Sequence, residues 1–450
     1  MKALILAAGH GVRQRANGDS KPLIPVLGLS LIERAILTAK KSGITKFCIV
    51  IGYNGDKIRN RLADGKKYGV EIEYIQNDQW DRGNGISLLK ARNCFREPFF
   101  LLMSDHIYDC RILDSLLTTN VGKDECILSV DRNSPPQLNM DDATKVLTEG
   151  NRIKEIGKNL ENYNGIDTGI FLCDPIIFGA IEESIAKGDE TLSGGIRILV
   201  QRNKMRCKII EGNFWIDIDD DKDLKNAKRF LCNNLKKETD GPVSKIINRP
   251  ISLRISKILL KTGITPNQIS LLSFIIGISG GSLFFLGEYF YLILGGILVQ
   301  IHSIIDGCDG EVARLKLRET KYGVWFDAVL DRYVDAIIIL GLTYGYWSIS
   351  NDAVIWIIGF VALIGSFLNS YTGDKYDSIF RNEDRVNRSK IRIGRDVRLL
   401  LITIGALTNQ IPILLIIVAA LANFEALRRL IVFRSKLENN NTPSTEKLVS

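Results

Sequence analysis

Six aspartates stand where a carboxylate is costly to keep. Four fall in an apolar stretch: Asp306 and Asp309 are three apart, and Asp327 and Asp331 four apart. Each pair lies on one face of its helix. The connection 315–322 is short enough to make the two helices antiparallel neighbours. Four carboxylates then converge in apolar surroundings, a prohibitive arrangement unless divalent cations neutralise it. Gly307, Gly310, Ala313 and Gly323 leave room for close helix approach and for a nucleotide. Asp331 lies one turn beyond Asp327 on the same face.

The other two aspartates are Asp105 and Asp219. Asp105 follows the run Leu101-Leu102-Met103-Ser104, and a carboxylate at the end of a buried strand needs a partner. It reads either as a helix cap or as a cation ligand. Asp219 ends Phe214-Trp215-Ile216-Asp217-Ile218-Asp219, and Asp220, Asp221 and Asp223 beyond it suit a helix N-terminus. Near the start stands Leu6-Ala7-Ala8-Gly9-His10-Gly11-Val12-Arg13, with Lys21-Pro22 beyond. Small residues and glycines let backbone N–H groups approach a phosphate chain, while Arg13 and Lys21 supply charge. Its spacing is neither that of a P-loop nor that of a dinucleotide-binding turn.

The elements that must position these residues differ between the two halves. Residues 2–6, 47–52, 71–75 and 98–103 read as strands, and 29–41, 56–63 and 85–94 as helices. This alternation predicts a mostly parallel α/β sheet with its ligands beyond the carboxyl ends of the strands. A turn at Asp240-Gly241-Pro242 follows. Then Ile247, Ile251, Ile255, Ile258 and Leu259 recur at helical spacing among Lys245, Arg249, Arg254, Lys257 and Lys261, the pattern of a basic helix at a membrane surface. Six apolar stretches succeed it, near 267–287, 289–314, 323–348, 353–376, 395–409 and 411–433, the fifth short. Asp335 lies one turn past Asp331 and reads as the partner of an arginine; His302 reads as a packed interior histidine.

Charge placement gives a topology. The chain has 450 residues and a net charge of +8, which would invite a nucleic-acid partner. Lys and Arg, however, collect between the apolar runs: Lys316, Arg318 and Lys321 after the second, Arg381 to Arg395 after the fourth, and Arg428 to Lys436 at the end. The opposite turns, near Glu288, 348–352 and 408–410, carry none. This predicts a multi-pass protein of the cell membrane with both termini and the soluble half in the cytoplasm, with the lipid bilayer and not nucleic acid as partner. Eight cysteines without a CxxC pair fit reduced thiols, and three histidines make a His-built metal site improbable. The opening residues do not read as a signal peptide. Residues 437–450 read as a disordered tail.

The first half resembles the sugar-phosphate nucleotidyltransferases in its Gly-rich opening, Lys21, and the aspartates after its strands. That resemblance implies a Rossmann-like fold over residues 1–236 and attack of a phosphate on the α-phosphorus of a nucleoside triphosphate. It implies that Ala7, Ala8, Gly9, Gly11, Arg13 and Lys21 hold the triphosphate, with Arg13 and Lys21 catalytic, and that Asp105 and Asp219 hold Mg²⁺ or Mn²⁺, with Asp217 second to Asp219. Gly83-Asn84-Gly85 resembles the family's base- and ribose-contacting loop, 165–169 its acceptor segment, and Lys158 its phosphate-contacting lysine.

The spacing DxxDGxxAR…GxxxDxxxD, here Asp306, Asp309, Gly310, Ala313, Arg314, Gly323, Asp327 and Asp331, resembles the CDP-alcohol phosphotransferase signature. The resemblance implies metal at Asp306, Asp309 and Asp327, with Asp331 as base beside the same ions. It also implies nucleotide contacts at Gly310, Ala313, Arg314 and Gly323, and a homodimer through the membrane domain. The expected architecture is an α/β Rossmann-like nucleotidyltransferase domain (1–236), a linker and interfacial helix (237–262), and an all-α six-helix transmembrane domain (263–436).

One half would make a CDP-activated molecule and the other consume it. The pairing resembles the family that joins inositol-1-phosphate cytidylyltransferase to di-myo-inositol phosphate phosphate synthase, whose members are found in hyperthermophiles and whose product is a compatible-solute precursor. The implied substrates are CTP, inositol 1-phosphate and CDP-inositol. Phosphate-binding arginines for the acceptor are expected from the 381–398 segment. A phospholipid head-group synthase is the alternative, and a nucleotide-sensing scaffold with dead sites a third reading, opposed by the intact signature.

Overall fold

The computed structural model describes residues 1–11, 20–133, 142–235, 240–379 and 394–440. The chain divides into two compact units, Met1–Leu231 and Cys232–Ser450.

The first unit is built on a nine-stranded sheet. Its order is Glu71–Gln76, Lys46–Ile51, Lys2–Ala7, Phe99–Met103, Gly165–Cys173, Cys126–Asp131, Met205–Ile210, Arg152–Gly157 and Lys145–Glu149. The first four strands run parallel, as the alternation of the opening hundred residues dictates. Gly165–Cys173 enters antiparallel to Phe99–Met103 and to Cys126–Asp131, so the sheet is mixed rather than mostly parallel. The core gathers on its strands, with Phe99 stacked between Phe95 and Phe178.

Three local details complete the first unit. The helix Leu31–Lys41 starts with a capping box between Ser30 and Glu33. The expected helix 85–94 is shorter, running Asn84–Lys90 before a tight turn at Arg92–Cys94. A separate two-stranded ribbon pairs Trp215–Asp217 antiparallel with His106–Tyr108, placing Asp217 opposite His106.

The second unit is helical: Arg249–Leu259, Pro266–Leu283, Tyr289–Leu315, Lys321–Ser350, Val354–Ile379, Arg395–Leu407 and Ile411–Asn440. Among the described residues four helices are long and apolar enough to cross a membrane: Pro266–Leu286, Tyr289–Leu315, Val354–Tyr376 and Ile411–Arg434. The other two expected spans fall short for different reasons. Lys321–Ser350 has the length but carries Lys321, Asp327, Asp331, Arg332 and Asp335. Arg395–Leu407 has 13 residues, about 20 Å at ~1.5 Å per residue.

The helix Arg249–Leu259 turns its polar side inward. Arg249, Ser252 and Ser256 are buried, whereas Ile247, Ile251 and Ile258 are exposed. The inward partner is Glu311 on Tyr289–Leu315, a fully buried carboxylate that accepts from Arg249 at 2.7 Å, Ser252 at 2.6 Å and Ser256 at 2.7 Å.

Candidate active sites

In the first unit Lys21 is the hub. Its ammonium lies 2.7 Å from Asp105 Oδ2, 2.8 Å from Asp219 Oδ1 and 3.8 Å from Asp217 Oδ1. Asp105 sits in the turn between two strands, and its other oxygen is 3.0 Å from His106 Nδ1. Gly11 has φ +61°, and a Cβ there would stand 2.6 Å from Lys21 Cβ. A side chain at position 11 would therefore displace the lysine as well as strain the backbone. Gly9 has open space around it, and Ala7 and Ala8 are buried where the first strand ends. Arg13 lies outside the described residues.

Electrostatics in this cluster follow from burial against neighbours. Burial disfavours the charged form of Lys21, but Asp105 and Asp217 overcome it and raise the ammonium above its ordinary value. Burial likewise opposes ionised Asp105, and Lys21 and His106 overcome that, holding its carboxyl far down. His106 is raised to about 9 because Asp217 and Asp105 outweigh its burial. Asp217 is pushed up to about 6, chiefly by burial.

Asp105, His106 and Asp217 each offer an atom within 4.8 Å of the others, and buried Asp217 Oδ1 makes no hydrogen bond. That donor set fits a small divalent cation. Lys21 holds Asp105 and Asp219 alike, at 2.7 and 2.8 Å, so the two aspartates expected to take the cation lie together, with Asp217 and His106 beside them. His106 escaped the sequence reading, although it directly follows Asp105.

The weaker assignments fare differently. Side chains at Gly83 or Gly85 would strike the backbone of Glu190, and Asn84 Oδ1 accepts from Leu192 N at 2.7 Å. This loop is thus committed to packing against 190–192. Lys158 is exposed, with Asp142 at 3.9 Å, and no ion pair among the described residues ties it to the Lys21 cluster. Asp167 is half-buried and accepts from Gly169 N at 2.7 Å; burial pushes its carboxyl to about 6.

In the second unit Arg395 is the hub. Nη1 is 2.7 Å from Asp331 and 3.3 Å from Asp306, Nε is 2.9 Å from Asp335, and Nη2 is 2.9 Å from His302 Nε2. Asp335 also takes Arg398 at 3.3 Å and Ser366 at 3.1 Å, the arginine-partner role its position suggested. His302 is packed inside against Ser273, and it also joins Asp306 and Asp331 in a group whose ligand atoms lie within 4.8 Å. These donors fit a divalent cation. Asp309 faces a different set: Ser270 at 2.5 Å and the Gly310 N–H. Asp327 is half-buried and faces Asp306, Asp331 and Asp309.

Gly310 is where Arg314 comes close: a Cβ there would be 3.1 Å from Arg314 Nη1. Arg314 Nε is buried without a hydrogen bond, as are Nε and Nη1 of Arg332. Ala313 is half-buried, and Gly323 N donates to Thr320 Oγ1 at 2.9 Å, starting the helix that carries Asp327 and Asp331. Arg332, hidden in sequence beside Asp331, lies 3.7 Å from it.

Two family models cover the chain. Residues 2–234 match the nucleotidyl transferase family and residues 263–425 the CDP-alcohol phosphatidyltransferase family. A protein of Aquifex aeolicus described as a bifunctional IPC transferase and DIPP synthase is 36% identical over 433 residues, 94% of this chain and 96% of that one. The chain belongs to the bifunctional IPC transferase and DIPP synthase family. Another such protein, from Rubrobacter xylanophilus, is 36% identical over 437 residues, 96% of each chain. The archaetidylinositol phosphate synthase of Pyrococcus horikoshii is 30% identical over 195 residues, 43% of this chain and 95% of its own. As a member of this bifunctional family, the chain carries a nucleotidyltransferase domain, in which Lys21 lies, and a CDP-alcohol phosphotransferase domain, in which Arg395 lies.

Proposed function

We propose that the first unit joins CTP to inositol 1-phosphate, giving CDP-inositol and pyrophosphate. The second unit then transfers the inositol-phosphate group of CDP-inositol to a hydroxyl of a second inositol phosphate, releasing CMP. The product is di-myo-inositol phosphate phosphate, a water-soluble phosphodiester and compatible-solute precursor. The observation that carries this reading is the presence of both reaction signatures in one chain, matched nearly end to end by relatives named for two linked steps.

The residues divide the work. In the first step the Gly-rich turn and Lys21 bind and orient the triphosphate, and Arg13 adds charge as pyrophosphate leaves. Asp105 with Asp217 and His106, or with Asp219, would hold Mg²⁺ or Mn²⁺. In the second step Asp306, Asp309, Asp327 and Asp331, with His302 beside them, would hold the second metal site. A cation held by these residues would supply charge neutralisation for the CTP triphosphate at the first site and the CDP-inositol diphosphate at the second. Gly310, Ala313, Arg314 and Gly323 line the nucleotide side. Arg395 and Arg398, in the arginine-rich segment expected to serve the acceptor, suit its phosphate. As Arg395 turns to that phosphate it releases Asp331, which then takes the proton of the attacking hydroxyl.

The same reading places six helices across the membrane, both termini in the cytoplasm, and two chains paired through the membrane domain. The exposed isoleucines of Arg249–Leu259 rest on the bilayer surface. A second reading, with a lipid acceptor, draws on the likeness of the membrane half to the archaetidylinositol phosphate synthase. Incubating purified protein with CTP, Mg²⁺ and inositol 1-phosphate, then partitioning the products between water and organic solvent, separates the two. A phosphodiester in the aqueous phase supports the favoured reading; product only on added lipid acceptor overturns it.

A further inference from the structure

A π-helical turn, Ser244–Asn248, leads directly into Arg249–Leu259, and this continuous helical segment is held at two places. Near its start, Asp396 Oδ2 accepts from Ser244 N at 2.8 Å, the contact by which a carboxylate satisfies an open helix N-terminus. Further along, Arg249 bridges Asp240, at 2.9 Å through two nitrogens, and Glu311, at 2.7 Å. Gly241 is part of the first contact, because a Cβ there would collide with the Asp396 carboxylate.

Asp396 is the direct neighbour of Arg395 in the first turn of Arg395–Leu407. Consecutive helical residues point about 100° apart. One side chain holds the linker helix while the next reaches Asp331, Asp306 and Asp335.

We propose that Asp396 is a positioning residue of the membrane-half reaction. By gripping the linker helix at Gly241 and Ser244 it fixes the first turn of its own helix, and so keeps Arg395 among the catalytic aspartates. The proposal rests on the phosphotransfer reading of this site. It gives a specific electrostatic signature. Arg395 shares Asp306 and Asp331 with any bound cation, and two cations on the same carboxylates repel. Loosening Asp396 should therefore do two opposite things: slow the transfer, because Arg395 no longer meets the acceptor phosphate, and tighten the metal, because a competing charge has moved off. Simple damage to the site would weaken both.

The test uses the full chain in detergent, with Asp105→Ala in every sample to silence the first metal site. Asp396→Ala, Gly241→Ala and Asp396→Asn are compared. Mn²⁺ binding is followed by electron paramagnetic resonance, and phosphodiester formation from supplied CDP-inositol and inositol 1-phosphate by phosphorus NMR. Asp396→Ala and Gly241→Ala, which break one contact from opposite sides, should lower the rate by ~10-fold or more while Mn²⁺ binds more tightly. Asp396→Asn keeps the accepting oxygen and should stay close to the parent in both. Mn²⁺ affinity that is unchanged or weaker in the two disruptive variants, or a rate that does not fall where the parent is active, overturns the proposal. If the parent itself makes no phosphodiester, the reaction assignment fails, yet the Mn²⁺ comparison still reports whether Asp396 places Arg395.

Discussion

Arg395 Nη1 lies 2.7 Å from Asp331 Oδ1 in an ion pair, so the carboxylate best placed to act as base is held by the cation best placed to meet the acceptor phosphate. The pair is an exchange: substrate phosphate takes the guanidinium, and Asp331 becomes free to receive a proton. Arg395→Ala should cut phosphodiester formation from supplied CDP-inositol by at least ~10²-fold. Arg395→Lys should not restore it, because an ammonium lacks the forked donors that reach Asp331, Asp335 and a phosphate together. A near-normal rate in Arg395→Lys would reduce the residue to a point charge.

Removal of Asp105 tests the other site. A fragment of residues 1–236, which contains the whole first unit, should be soluble and should release pyrophosphate from CTP and inositol 1-phosphate. Asp105→Ala, which removes one of the three carboxylates around Lys21, should abolish that release. In the full chain the same substitution should leave conversion of supplied CDP-inositol intact. Pyrophosphate release at the normal rate would remove Asp105 from the reaction.

Glu33 gives a pH dependence of stability. Burial opposes its charge, but the Ser30 N–H, Tyr68, Arg61 and the Ser30 hydroxyl hold its carboxyl below the ordinary 4.5. The depressed value means that its contribution is present above about pH 4.5 and is lost as pH falls toward the folded value. Glu33→Gln in the 1–236 fragment should cost ~1–3 kcal/mol at neutral pH, and the loss should shrink below about pH 4. Urea unfolding at several pH values measures both; an equal cost at every pH would exclude the charge as its source.

Arg249 and Glu311 form a buried pair whose halves need each other. Glu311→Ala should destabilise the membrane unit by ~1–3 kcal/mol, because the buried Ser252 and Ser256 hydroxyls and one arm of Arg249 lose their acceptor while Asp240 keeps the other arm. Arg249→Met combined with Glu311→Leu should recover most of that. Thermal unfolding in detergent gives the comparison; a double variant no better than Glu311→Ala would show that the pair itself stabilises.

The parts legible in the sequence were those with a local signature. Gly11, Lys21 and Asp105 were visible because glycines and the ends of apolar strands mark them. The four membrane aspartates were visible because their spacing is helical and their setting apolar. His106 was not, because its partner Asp217 comes from a ribbon joining segments far apart in the chain. The amphipathic pattern near Arg249 was visible, but which face turns inward was decided by Glu311 on another helix. Gly83 and Asn84 suggested a ligand loop, and the sequence did not show that the loop also packs against 190–192, which lie far along the chain. The helix Lys321–Ser350 reads as a span by its length, but Lys321, Asp327, Asp331, Arg332 and Asp335 lie along its first half.

The central claim is that the product of the Lys21 site is the substrate of the Arg395 site. It is tested most directly with Asp331→Asn, which roughly keeps the shape and removes the base. The full chain would be given CTP, Mg²⁺ and inositol 1-phosphate and followed by phosphorus NMR. The unaltered protein should show CDP-inositol rising and falling as the phosphodiester and CMP appear. Asp331→Asn should form CDP-inositol at the usual rate and let it accumulate, with phosphodiester formation at least ~10²-fold slower. Phosphodiester forming in the variant at near the normal rate, or forming in the unaltered protein without CDP-inositol as precursor, would contradict the account.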